Sequence, residues 1–145
     1  MSLCRIVTIL TGWDWKGRFS MDGWLDVVGK AWDNREDPAI LTTVDANGVP
    51  NSIYVTCVSK YDERTLVVAD NYFDKTRKNI MNGGQGSILF MTKDKKAYQV
   101  KGRLDYNTDG PVFDDMKRWN SAKHPGHAAV SMTMAEAYQG GTKLS

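Results

Sequence analysis

Hydrophobic positions from Trp24 onward recur first at helical spacing and then at strand spacing. Trp24, Leu25, Val28, Ala31 and Trp32 fall on one helix face, and Asp22 is placed to cap that helix. The polar run Asp33 to Pro38 is expected to end it, because proline disfavours helical backbone in the residue before it. Ala39 to Val44 is apolar and β-branched. Asn47-Gly48 suits the positive φ of a hairpin turn. Asn51 to Ser59 alternates and reads as the partner strand. After a turn at residues 61–64, Thr65 to Ala69 is a third strand.

Asp74 to Met81 reads as a short helix, with Asp74 as a candidate cap, broken by the run Asn82 to Gly86. Ser87 to Thr92 and Ala97 to Tyr106 are the fourth and fifth strands, on either side of the charged turn Lys93 to Lys96. Pro111 suits the first turn of another helix. Phe113, Met116 and Trp119 or Asn120 give that helix an apolar side. A loop from His124 to His127 leads into a sixth strand, Ala128 to Met134, and a tail through Glu136-Ala-Tyr138. Six hairpin-linked strands with flanking helices predict an α+β chain, mainly antiparallel β, that closes into a barrel with few free edges. Residues 1–20 show no clear periodicity. They are expected to form a flexible N-terminal extension to a domain over residues 21–145.

Composition narrows the function classes. The 145 residues carry 19 basic and 17 acidic side chains, a formal net charge of +2. That balance argues against a nucleic-acid partner, and the five tryptophans then fit core and cofactor packing. No apolar run is long enough to span a bilayer. Arg5 to Leu10 lacks the length and cleavage site of a signal peptide. The two cysteines, Cys4 and Cys57, form no CxxC pair. Cys57 lies in an apolar strand-like run and is expected to be a buried, inert thiol. A cytoplasmic location is expected.

The most informative local pattern follows strand three. A strand runs into a loop and then into a helix whose first turn holds Asp74, Lys75 and Thr76. Unpaired N–H groups at a helix start carry partial positive charge, so a lysine and a hydroxyl beside them suit a phosphate. Arg77 and Lys78 add positive field. The same residues also suit an ordinary basic surface helix. Gly83, Gly84 and Gly86 match neither the Rossmann nor the P-loop pattern and read as a flexible helix end. His124 and His127 lack the neighbouring ligands of a metal site. No serine or histidine sits in a nucleophile motif.

In order and spacing, five segments resemble the pyridoxamine 5'-phosphate oxidase-like family of FMN-binding split barrels. They are residues 38–51 as a first hairpin, 74–80 as a phosphate-binding helix start, 98–103 as a central strand near the flavin, 108–113 as a helix opening, and 128–134 with Tyr138 as a closing strand. The likeness spans about residues 22 to 138. It implies a six-stranded split β-barrel that works as a homodimer, with FMN at the subunit interface. Lys75 and Thr76 match positions that bind the FMN phosphate. Tyr54, Val55 and Thr56 match a strand along the isoalloxazine ring and ribityl chain. Val68, Ala69 and Asp70 match a strand whose end faces the flavin. Gln99 matches a glutamine that reaches the cofactor from the partner subunit, and Gln85 and Trp119 are further matches. The chain departs from true pyridoxamine phosphate oxidases: Ser52 and Ile53 stand where those have an arginine, and Asp74 precedes Lys75 in place of a second basic residue. No counterpart of their C-terminal extension is expected after Tyr138. Oxidation of pyridoxamine 5'-phosphate is therefore not expected.

Three functions follow. The first is an FMN-binding redox protein, a flavin reductase or an electron carrier whose donor or acceptor the sequence does not name. The second is a split barrel for heme or a deazaflavin, with His124 or His127 as the heme ligand. The third is a non-enzymatic ligand-binding module.

Overall fold

The computed structural model describes residues 23–145. The expected extension over residues 1–20, Cys4 and the Asp22 cap lie outside the described residues. In chain order, the described elements are α1 (Gly23–Asp33), β1 (Arg35–Val44), β2 (Pro50–Val55), β3 (Val58–Asp62), β4 (Thr65–Asp70), α2 (Lys75–Met81), β5 (Gln85–Thr92), β6 (Ala97–Asn107), α3 (Gly110–Trp119), β7 (Ala128–Gln139) and β8 (Thr142–Lys143). All strand pairs are antiparallel, in the order β2-β1-β5-β6-β7-β4-β3, with β8 added beside β7. The two ends of this order, β2 and β3, are separated in sequence by Thr56 and Cys57 alone. One stretch of chain therefore supplies both edges, and the sheet curls into a half-barrel.

Among the described residues, eight strands replace the expected six. Asn51 to Ser59 alternates without a break, yet the chain turns a corner inside it. The Val58 N–H donates to the Thr56 carbonyl (3.1 Å), and the Ala69 N–H to the Cys57 carbonyl (2.9 Å). This three-residue turn splits the expected strand into β2 and β3. Strand β1 begins before Pro38 rather than after it. The proline sits at the register shift between Glu36 and Ile40, where its missing N–H costs no ladder bond. Strand β7 runs past Met134 because residues 136–139 keep pairing with β6, and it then pairs with β8.

The inward face of the sheet forms one core. Leu41, Ile88, Val100, Leu104, Val130 and Met132 are buried there with Leu25, Val28, Ala31 and Trp32 of α1. These α1 residues lie on the face that the spacing predicts. Trp32 meets Phe90 edge-on with ring centroids 5.1 Å apart, a favoured aromatic arrangement. Helix α3 covers the outside of the sheet, where Met116 packs with Val67, Ala69 and Ala129. Strand β4 is thus buried on both faces, which explains its continuous apolar sequence.

Gly102 marks the tightest approach in the sheet, at the register shift between Lys101 and Gly102. A Cβ there would lie 1.9 Å from the Thr133 carbonyl oxygen. Gly102→Ala is expected to destabilise the fold by about 3 kcal/mol. Gly141→Ala, where an added Cβ meets nothing within 4 Å, should change stability by less than about 0.5 kcal/mol. Thermal melts of the two variants check the contrast.

Candidate functional site

Among the described residues strand β2 ends the sheet, so one of its edges carries backbone N–H and C=O groups with no described strand beside them. Between this region and the chain leading from β4 into α2 lies a cleft of about 390 Å³, within the roughly 300–1,000 Å³ common for small-molecule sites. Asn51, Ile53, Tyr54 and Val55 form one wall, Thr56 and Cys57 the corner, and Val68 and Ala69 the side toward β4. Residues 71–74, Lys75, Thr76 and His124 complete it. Its walls are largely apolar at the strands and polar at α2.

At the α2 end, Thr76 is buried and Lys75 exposed. Asn51 Nδ2 donates to Thr76 Oγ1 (3.0 Å), which leaves the hydroxyl proton free for an acceptor. Lys75 makes no ion pair among the described residues. The Asp74 side chain does not cap the helix; it pairs with Lys78 at 3.6 Å. No side-chain cap from Asp74 therefore blocks the first-turn amides. Asn79 Nδ2 donates to the buried Thr43 Oγ1 (3.0 Å) and ties α2 to β1.

Asp70 lies on the inward side of β4 and does not line the cleft. Its carboxylate is fully buried. It accepts hydrogen bonds from Arg77 Nε (2.7 Å) and Nη2 (3.0 Å), from the Tyr106 hydroxyl (2.6 Å) and from the Phe73 N–H (3.0 Å). Burial alone would raise its pKa. The Arg77 and Tyr106 hydrogen bonds and the Phe73 amide outweigh burial, and the net shift is downward. Burial and Asp70 push the Tyr106 hydroxyl up.

The loop between α3 and β7 packs against residues 71–72. The side chains of Asn71 and Asn120 bond each other at 2.9 and 3.3 Å, and the Gly126 N–H donates to Asn71 Oδ1 (3.0 Å). His124 Nδ1 lies 3.2 Å from the Tyr72 hydroxyl. A smaller cleft of about 330 Å³ adjoins the first and shares Thr56, Cys57 and His124 with it; Trp119 lines this second space.

Of the residues singled out in the sequence, Tyr54, Val55, Thr56, Val68, Ala69, Lys75 and Thr76 come together in the larger cleft. Trp119 stands next door. Gln85 opposes Arg103, and Gln99 lies between Leu89 and Tyr138, both away from the cleft of their own chain. Cys57 is half-buried rather than buried, because the corner opens it to both spaces. Asn51, Ile53, Asn71, Tyr72 and Phe73 also line the larger cleft without having been singled out as site residues in the sequence, and His124, a candidate there for a heme ligand alone, lines it as well. Alternation in β2 could have pointed to Asn51 and Ile53, whereas tertiary packing alone brings His124 to Tyr72. Among the described residues, no group of three or more His, Cys, Asp or Glu could hold a metal ion. No helix among them is long and apolar enough to cross a membrane.

The curled antiparallel sheet with its flanking helices defines a split-barrel protein. The family model for pyridoxamine 5'-phosphate oxidase matches residues 7–141, and the chain belongs to this family. It is 27% identical over 103 residues to an uncharacterized protein of Methanocaldococcus jannaschii, covering 68% of this chain and 69% of that one. Solved structures share the fold. An FMN-binding protein from Syntrophomonas wolfei superposes with a TM-score of 0.69 at 20% identity, covering 80% of this chain and 85% of that one. HupZ of Group A Streptococcus gives 0.65 at 22%, covering 83% and 94%. General Stress Protein 26 from Bacillus anthracis gives 0.61 at 19%, covering 79% and 92%.

The depressed pKa of Asp70 fixes the sign of a pH effect. Its ionic contribution is fully present above the ordinary value of 3.8 and is lost as pH falls through the lower folded value. Asp70→Asn should lower stability at pH 7 by about 2 kcal/mol, the scale of hydrogen bonds to a charged group. The gap between native and variant should begin to close only below pH 3.8. Denaturant titrations across pH check this. A gap already closing between pH 7 and 5 would contradict it.

Proposed function

We propose that this chain binds FMN in the larger cleft and acts as a homodimeric redox protein in the cytoplasm, as a flavin reductase or an electron carrier. The observation that carries the reading is the end of the cleft at α2. Within a chain of this family, a lysine with no ion pair among the described residues and a hydroxyl with a free proton stand where an apolar-walled cleft ends. A phosphate dianion suits that end, and a planar, largely apolar ring suits the strand walls. Ile53, Val55, Val68 and Ala69 offer apolar contact, while the edge of β2 that no described strand pairs offers backbone groups to polar atoms on a ring. Bound FMN would supply the storage and transfer of electrons. Among the lining residues, Asp74 carries the carboxylate and His124 the imidazole, and Asp74 is already paired with Lys78. The chain's own part is then to bind, orient and shield. The departures at Ser52, Ile53 and Asp74 point away from pyridoxamine 5'-phosphate as substrate.

The outer face of the sheet supports the homodimer. Tyr54, Ile40, Leu89 and Gln99 are opposed in turn across β2, β1, β5 and β6, and opposed residues share a face. Tyr54 is 76% exposed, Leu89 40% and Met91, further along β5, 44%. These apolar groups gain from being covered. Gln99 lies three strand spacings from Tyr54, roughly 14 Å, too far to serve its own cleft. Two copies packed through this face about a two-fold axis would carry Gln99 of each toward the cleft of the other.

Two measurements test the proposal. Purified native protein should show flavin absorbance in proportion to protein after FMN is added, and NAD(P)H or a redox partner should bleach it. Lys75→Ala should weaken FMN binding by about tenfold or more, the loss of a charge-assisted phosphate contact. Native protein that takes up no FMN would end the reading. On the outer face, Leu89→Asp should give monomers in analytical ultracentrifugation and weaken FMN binding alongside. Dimers that persist unchanged would move the interface elsewhere.

A further inference from the structure

We propose that Asp70, Arg77 and Tyr106 form a positioning clamp that makes the cleft select a phosphorylated flavin over its unphosphorylated form. This rests on the flavin reading above.

Asp70 ends β4, and its partners lie on three other parts of the chain: Phe73 in the loop, Arg77 in α2 and Tyr106 in β6. Lys75 and Thr76 fall between Phe73 and Arg77 in sequence. The segment that would meet the phosphate is thus pinned on both sides to the same buried carboxylate. Arg77 engages side-on, Nε to one carboxylate oxygen and Nη2 to the other, a geometry that fixes orientation as well as distance. Tyr106 anchors the carboxylate to a central strand of the sheet. With both flanks held, the backbone around Lys75 and Thr76 loses little freedom when a ligand arrives, and preorganisation of this kind raises affinity.

The clamp also sets the charge at the site. Arg77 is committed to Asp70 at 2.7 Å, so its charge is largely cancelled, and among the described residues of α2 Lys75 remains as the cation free to meet a phosphate. The effect is confined to one end of the cleft. Asp70 does not line it, and the strand walls that would face a ring do not depend on Asp70 for their contacts. Loss of the clamp should therefore weaken ligands that reach α2 with a phosphate and spare ligands that do not.

The test is a pair of fluorescence titrations of the full chain, with FMN and with riboflavin, for the native protein, Asp70→Asn, Arg77→Gln and Tyr106→Phe. Native protein is expected to bind FMN more tightly than riboflavin. Asp70→Asn and Arg77→Gln should shrink that preference by about tenfold through loss of FMN affinity, with riboflavin affinity kept within about threefold. Tyr106→Phe, which removes one of the four bonds, should shrink it less. It also carries the test if Asp70→Asn fails to fold. Equal losses for both flavins, or an unchanged preference, would reduce the cluster to a purely structural role and overturn the clamp while leaving FMN binding intact. Native protein that binds neither flavin would overturn the flavin reading, and the clamp with it.

Discussion

Both edges of the sheet belong to one piece of chain, bent at Thr56 and Cys57, and the rest of the architecture follows from that constraint. A sheet whose first and last strands are covalently adjacent must curl until they meet at the bend. Curling gives the sheet an inside, and the inside becomes a single core from Leu41 to Met132 with α1 packed on it. It also limits exposed edge, which a flat sheet of this length would leave open to other chains. At the bend the ladder is interrupted, and the interrupted region opens on the cleft. Cys57 and Thr56 face both clefts for the same reason. The feature that closes the fold and the feature that opens the site are thus the same two residues.

The legible parts of the sequence were those where local pattern and tertiary role agree. The α1 stripe packs on the core as its spacing predicts, and the Asn47-Gly48 turn joins β1 to β2, with Gly48 at a φ of 82°. The continuous apolar run of β4 reports burial on both faces. Legibility failed where a residue serves a long-range partner. Alternation from Asn51 to Ser59 records which way side chains point, and a corner inside it leaves that record unchanged. Pro38 reads as a breaker because its cost depends on a ladder bond, and at a register shift there is none to lose. Asp70 reads as the end of a strand near a cofactor. Its inward turn depends on Arg77, seven residues on, and on Tyr106, thirty-six residues on. No local window holds all three.

Electrostatics at α2 shows how far a sequence-level charge count can stand from the field a ligand meets. Lys75, Arg77 and Lys78 read as three cations in four positions. Arg77 is spent on a fully buried carboxylate. Lys78 faces Asp74 at 3.6 Å with both side chains well exposed, a pairing worth little in energy that still offsets its charge locally. Lys75 is left. A basic surface helix and the proposed phosphate site are not rival descriptions once the pairs are known. The same helix is neutralised at two positions and cationic at the one that lines the cleft.

An ion pair whose carboxylate is fully buried while its guanidinium is 38% exposed is an inefficient way to gain stability, since taking the carboxylate out of water carries a desolvation cost that apolar side chains of similar volume avoid. Its presence between β4, α2 and β6 therefore asks for a reason beyond stability. Apolar contacts hold elements together but tolerate small slides, because they lack direction. A carboxylate with four donors fixed in place tolerates far less, since each donor constrains both distance and angle. The need for directional contacts is greatest where a short helix must hold two residues at a set place beside a ligand. Helix α2 has seven residues, too few to be stable by itself, and it borrows its position from Asp70 on one side and Thr43 on the other. The polar groups buried beneath the cleft are the means by which a weak helix becomes a rigid wall.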